Sequence, residues 1–256
     1  MKRILITSIA VLAGFALHAQ KITAGKSYQA IVDSKTTVSM NVQGASMDIP
    51  TTVQAEIGLQ IKSADNNTIT GSCAVKHIKV STSAMGQEQS FDSNDSAMKS
   101  NPEVSKLMQD QNFTLTNGKL SDEQKADAGL QVTGLDIVNK LLLPVSADKL
   151  KENYTWKENK TDSGSSSEIN YTISKLTSDD VEISFTTSIK VNNTIQQMGM
   201  DMKQSLTGTI KGTRLYSRAS GTLKSDSEDK DFTGSYEVMA QQMPVTIKGT
   251  STTVIK

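Results

Sequence analysis

Few side chains in this chain could do chemistry. Cys73 is the only cysteine, and His18 and His77 are the only histidines. A Ser-His-Asp or Cys-His nucleophile needs a histidine as its base. Cys73 and His77 lie four residues apart in a sequence that reads as a strand, which puts them on one face but about 13 Å apart. They cannot form a dyad there without a sharp bulge. A zinc site needs three or four His or Cys ligands, and with His18 in the expected leader only Cys73 and His77 remain in the mature chain.

Met198-x-Met200-x-Met202 is the softest donor set, and three thioethers on one strand face could hold Cu(I). The same parity runs on through Leu206 and Ile210, and methionine is a common filler of irregular apolar space. These positions therefore read as core or as the lining of an apolar site. Asp179-Asp180 and Glu228-Asp229 fall in polar stretches, residues 177–180 and 225–231, that read as exposed turns carrying solvated charges. No Gly-rich loop joins a strand to a helix as phosphate binding requires. The sequence thus offers no catalytic residue, no metal ligand set and no cofactor site.

The elements that would carry these side chains are mostly strands. Even positions from Tyr28 to Val42 are mainly apolar and odd ones polar, the period of a half-wet strand. The pattern resumes from Val53 to Ile61, after a turn-forming stretch at 44–50, and reads as a hairpin. Beyond the turn at 64–67, Ile69, Cys73 and Val75 continue it, and the shift to Ile78 and Val80 predicts a bulge near 76–78. Val181, Ile183, Phe185, Thr187, Ile189 and Val191 share one face of a later strand, and residues 160–167 read as a flexible turn.

Between the two strand regions lie two helical stretches. Ser100-Asn101-Pro102-Glu103 has the composition of a helix start, with apolar positions running to about residue 110. Leu135, Val138, Leu141 and Leu142 recur at helical spacing behind Thr133 as a cap, and Pro144 ends that helix. The junction leads to Trp156, the only tryptophan.

Lys2 and Arg3, an apolar run over residues 4–17 and then His18-Ala19 have the order of a secretory signal. The apolar run is too short for a membrane span, which needs about 20 residues. Loss of residues 1–19 changes the 27 basic and 27 acidic residues of the whole chain to 25 and 27. That near balance gives no electrostatic reason to bind nucleic acid. With no cysteine at the cleavage point, the expectation is an exported protein, periplasmic or extracellular, without an N-terminal lipid and without a membrane span once the signal is removed. An aromatic content of 4% argues against the aromatic girdles of an outer-membrane barrel.

Residues 56–91 and 168–206 share an alternating strand, a polar turn, a longer strand containing Ile-Lys-Val and a Met-Gly pair. This predicts one β-rich domain over residues 20–256, with pseudo-repeats at 26–96 and 153–256 and a helical connector at 100–152. The expected fold is mainly β: a large curved antiparallel sheet or half-barrel, covered by the short helical insertion.

The junction Leu-Leu-Leu-Pro-Val-Ser-Ala-Asp-Lys-Leu-Lys-Glu-Asn-Tyr-Thr-Trp (141–156), with the signal and the strand-rich copies, resembles an uncharacterised family of exported Bacteroidetes proteins classed as a domain of unknown function. Members often have Gly-Asp shortly before the tryptophan, where this chain has Glu152 and Asn153. The resemblance implies no catalytic residues. The architecture also resembles the half-barrel of periplasmic lipoprotein carriers, a likeness of fold alone. The function expected is non-enzymatic, with one sheet face binding an apolar small molecule or an envelope protein. Leu135, Val138, Leu142, Trp156, Met198, Met200 and Met202 are the candidate lining. A carboxylate-dependent hydrolase and a structural or adhesive envelope module without a ligand are the alternatives.

Overall fold

The computed structural model describes residues 22–42, 45–65, 67–84, 86–96, 102–120, 134–162, 164–197, 200–238 and 241–256. The expected leader, Thr133 and Met198 lie outside them. In order the elements are β1 (Ser27–Val42), β2 (Ala45–Ala64), β3 (Thr68–Ala84), β4 (Gln87–Asp92), α1 (Pro102–Leu107), β5 (Gln111–Thr116), β6 (Lys119–Leu120) and α2 (Gly134–Lys140). A single 3-10 turn, Ala147–Lys149, precedes β7 (Thr155–Asp162), β8 (Ser165–Leu176), β9 (Asp180–Gln197), β10 (Met200–Ser217), β11 (Leu223–Val238) and β12 (Gln241–Ile255). No described helix is long and apolar enough to cross a membrane.

All twelve strands form one antiparallel sheet in the order β6-β5-β3-β2-β1-β12-β11-β10-β9-β8-β7, with β4 also paired to β3. The expected fold class is thus observed: mostly strand, one large open sheet, and little helix. Strands β1 and β12 join the two halves through eleven register pairs, from Ala30↔Ile255 to Met40↔Val245.

The sheet is rolled. β6 and β7 are its opposite edges, and laid flat they would lie roughly 48 Å apart at the usual strand spacing. Yet Lys119 Nζ on β6 is 3.9 Å from Glu158 Oε1 on β7. Only strong curling brings two side chains from opposite edges together. Among the described residues no backbone ladder joins β6 to β7, so the roll stops short of a closed barrel.

Inside one end of the roll sit α2 and the chain that follows it. Ile137 and Val138 pack with Ile57, Leu59, Cys73, Phe113 and Leu115 in a first core cluster. Each such aliphatic side chain contributes about 1.5–3 kcal/mol by leaving water. Gly134 lies so close to Cys73 that an added Cβ would come within 2.7 Å of the Cys73 sulfur. Leu143, Ile173, Val181, Ile183, Tyr216 and Leu223 form a second cluster on the other half.

The structure departs from the sequence reading at several points. α2 ends at Lys140, four residues before Pro144, because residues 141–143 turn extended: Leu143 N–H donates to Gly221 O and Leu223 N–H to Leu141 O, both at 2.8 Å. β2 starts at Ala45 and includes Pro50. Proline is tolerated there because β3 pairs with β2 only from Thr51 onward, leaving the side where its missing N–H would point without a ladder. Residues 160–162 and 165–167 belong to β7 and β8 and pair with each other, so the supposed long turn is two residues, with Gly164 at φ 89°. Residues 225–231 are not an exposed turn but part of β11.

Candidate functional site

Cys73 and His77 do not meet. In the register of β2 with β3, Val75 pairs with Ile57 and His77 with Glu56, so Lys76 is an extra, bulged residue. The bulge falls where the alternation shifts, and it turns His77 to the outer face, where its Nε2 pairs with Asp92 Oδ1 at 2.9 Å. Cys73 points inward, 2% exposed, and burial with the nearby Asp110 charge pushes its thiol up to about 11. It is a packing residue under Gly134, not a nucleophile.

The remaining sequence candidates divide between two ends of the roll. Val138 and Leu142 are buried in the first cluster and Leu135 packs against it, so the space between helix and sheet is filled by these side chains. Trp156 stands in an aromatic ladder, stacked on Tyr154 at 5.9 Å and on Tyr171 at 4.8 Å between ring centroids, with Phe185 beyond. Its indole N–H is buried without a hydrogen-bond partner among the described residues. Met202 is half-buried on β10 at the far end, opposite Val238. The structure does not bring Met202 together with the helix residues. Met198, as noted, and the Met200 side chain fall outside what is described.

The charged side chains that matter were not singled out by the sequence. Asp226 and Glu228 alternate inward on β11, 3% and 10% exposed. Lys140 at the end of α2 donates to Asp226 Oδ2 at 2.8 Å and to Glu228 Oε1. Arg214 on β10 donates from Nε to Asp226 Oδ1 at 3.3 Å and lies 4.3 Å from the centroid of the Phe185 ring. Tyr216 Oη donates to the Lys140 carbonyl at 3.2 Å, and Lys230 Nζ is 3.6 Å from Glu228 Oε2. Burial alone would raise Glu228, but the Lys140 charge and hydrogen bond outweigh it and hold the carboxyl down at about 2. For Lys140 the balance is similar: burial works against the charge, and Asp226 and Glu228 more than offset it, so its pKa is raised. Held this way, Glu228 accepts from fixed cations and is unsuited to donate a proton near neutral pH.

Strand register arranges the inner face in rows that cross six strands, from β2 through β1, β12, β11 and β10 to β9. One row is Ala55, Val32, Thr253, Asp226, Arg214, Ile183, and the next is Val53, Ser34, Ser251, Glu228, Gly212, Phe185. Gly212 is required there, since a Cβ would come within 2.7 Å of the Phe185 ring. A mixed row follows: Thr51, Thr36, Gly249, Lys230, Ile210, Thr187. Beyond it the rows are apolar: Ile49, Val38, Ile247, Phe232, Gly208, Ile189, then Met47, Met40, Val245, Gly234, Leu206, Val191.

These last rows are the candidate site. Most of their large side chains are only half-buried, while the alternate positions Asp48, Thr52, Lys190, Lys203, Thr207, Asp231, Thr233 and Lys248 on the outer face are exposed and polar. α2 packs on β2, β3, β5 and β6, and among the described residues no helix lies over the apolar rows. A soluble monomer rarely leaves so continuous an apolar strip without using it. The outer face carries a shallow depression of about 520 Å³ bordered by Lys35, Lys211, Asp229, Asp231 and Lys248; it is open and charged, with no chemistry converging on it. Among the described residues no three His, Cys, Asp or Glu side chains gather to hold a metal ion.

Residues 138–223 match a family of unknown function (DUF6263), a span that contains the Leu-Pro-to-Trp junction. No curated protein sequence matches the chain significantly. Among solved structures, lipovitellin, from work on its lipid-protein interactions, is similar over 91% of this chain at 14% identity with a TM-score of 0.55. This chain spans 25% of that protein's length, and the likeness is one of fold. A Rh. blastica porin mutant (10% identity, 88% of this chain and 99% of the porin, TM-score 0.27) and the translocator domain of the Neisseria meningitidis autotransporter NalP (6% identity, 92% and 90%, TM-score 0.22) also match, too distantly to assign a fold.

Proposed function

We propose that this chain is a non-enzymatic, exported binding protein whose rolled sheet holds an apolar chain against its inner face. The observation that carries the reading is the pair of apolar rows from Ile49 to Ile189 and from Met47 to Val191. Most of their large side chains are half-buried, and the rows are continuous across six strands and free of a helical cover among the described residues. The converging acids, Asp226 and Glu228, are each bound by cations, which favours binding over hydrolysis at that cluster. The leader-like first 19 residues support export. The fold shared with lipovitellin, a protein with lipid interactions, is an analogy in the same direction.

Energetically the site suits a flexible hydrocarbon. Each methylene taken out of water contributes about 0.8 kcal/mol, against which stand the costs of ordering the chain and losing its free motion. A twelve-stranded roll is wider than the eight-stranded barrels whose interiors side chains nearly fill, and narrower than channel-forming porins. That is room for an alkyl chain.

The test is titration of the full chain, stripped of bound lipid, with the neutral dye N-phenyl-1-naphthylamine. Saturable fluorescence enhancement is expected, lost in Ile247→Asp on the inner face and kept in Thr246→Asp on the outer. Absence of saturable binding in the wild type would sink the reading.

A further inference from the structure

Resting on that reading of the inner face, we propose that the mixed row just above the apolar rows seats the carboxylate of a long-chain fatty acid, with Lys230 as its counter-ion. The inward-facing cluster holds three cations, Lys140, Arg214 and Lys230, and two acids, Asp226 and Glu228. One positive charge is left over, and position decides which. Lys140 and Arg214 hydrogen-bond the acids directly. Lys230 stands off at 3.6 Å from Glu228 Oε2, beyond a good hydrogen bond, and its side chain is 26% exposed.

Lys230 also faces the right way. On its own strand the next inward residue is Phe232, which opens the apolar rows, and the previous one is Glu228, which closes the ionic ones. Its cross-strand neighbours are Ile210 and Gly249, with Thr187 and Thr36 one strand further on either side in the same row. An ammonium at the head of an apolar strip complements an anionic head group on an alkyl tail. Along β11 the inward positions Phe232, Gly234, Tyr236 and Val238 run roughly 20 Å at the usual rise per residue, the reach of an extended long-chain fatty acid, with Gln204 and Asn193 joining Tyr236 and Met243 in the row beyond the two apolar ones. A neutral lipid would use the strip and leave the Lys230 charge to its 3.6 Å contact with Glu228.

The experiment compares palmitate with hexadecanol, equal in chain and different in charge, as competitors of N-phenyl-1-naphthylamine on the full chain. It uses wild type, Lys230→Met and Lys230→Gln. Wild type is expected to bind palmitate about tenfold more tightly than hexadecanol, the worth of one charge-assisted contact, and both variants to bind the two alike with hexadecanol affinity unchanged. Glu228 keeps Lys140 and Arg214 in the variants, so their folding is preserved, and two side chains of different polarity guard against a local effect of either. Equal binding of both competitors by wild type, or a palmitate preference that survives both substitutions, overturns the assignment while leaving the apolar site standing. Failure of either competitor to displace the dye, or of the dye to bind, overturns the underlying reading as well.

Discussion

Lys119 Nζ and Glu158 Oε1 lie 3.9 Å apart although their strands are the two edges of an eleven-strand path. The pair records the curvature that turns a sheet face into an interior. It does not create that curvature, since Lys119 is 76% exposed and exposed pairs contribute under about 1 kcal/mol. Zero-length carbodiimide coupling of the folded protein is therefore expected to join Lys119 to Glu158 as an amide detectable by peptide mass spectrometry. Lys119→Ala should leave thermal stability nearly unchanged while abolishing the cross-link. Absence of the 119–158 cross-link under conditions that couple Lys157 to Glu168, a pair 2.9 Å apart on neighbouring strands, would show a flatter sheet.

Lys140 ties α2 to β11 across the roll. Lys140→Met leaves Asp226 with Arg214 and Glu228 with only the longer contacts to Lys230 and Arg214, at 3.6 and 3.8 Å, and removal of one member of a buried ion cluster costs about 3–5 kcal/mol. Denaturant unfolding should show a loss of that size, and the double variant Lys140→Met with Glu228→Gln should recover part of it, because one of the stranded charges is gone.

The same cluster sets an acid limit. Glu228 is held at about 2, below its ordinary 4.5, so its contribution is complete above about pH 4.5 and is lost as the pH falls toward 2. The shift corresponds to about 3 kcal/mol. Lys140, raised above its ordinary 10.5, contributes fully below that value and loses its contribution only in strong alkali. Melting temperature should thus be level with respect to these groups from about pH 5 to pH 10 and drop in acid. Glu228→Gln should melt lower at neutral pH and show a shallower acid decline.

Trp156 carries an indole N–H with no partner among the described residues, an unmet donor that costs about 1–3 kcal/mol when buried. Trp156→Phe removes that donor and keeps an aromatic ring against Tyr171. Chemical unfolding is expected to place it within about 1 kcal/mol of wild type, whereas Trp156→Ala should show the 3–5 kcal/mol loss usual for a deleted aromatic.

The strands were legible wherever alternation was clean, as from Val181 to Val191, and so was the bulge at Lys76. The ion cluster was not. Ser225 to Asp231 has the composition of a loop, and its inward acids make sense only beside Lys140 and Arg214, which the fold brings from 86 and 12 residues away. The early end of α2 was hidden for a related reason: residues 141–143 leave the helix to pair with residues 221–223, a long-range contact that local periodicity does not encode. The apolar strip itself was visible as single-faced strands, but its separation from the helix depends on register, which only the pairing of β1 with β12 fixes.

The central claim is that an alkyl chain lies on the inner face at the apolar rows. In a Trp156→Phe background, one indole is introduced by Ile247→Trp, inward on β12, and in a second protein by Thr246→Trp, outward on the same strand. Each is titrated with a brominated alkane, a short-range quencher of indole fluorescence. Saturable quenching of the inward indole with little effect on the outward one is the predicted result. Equal quenching of both, or none of the inward one, would contradict the account.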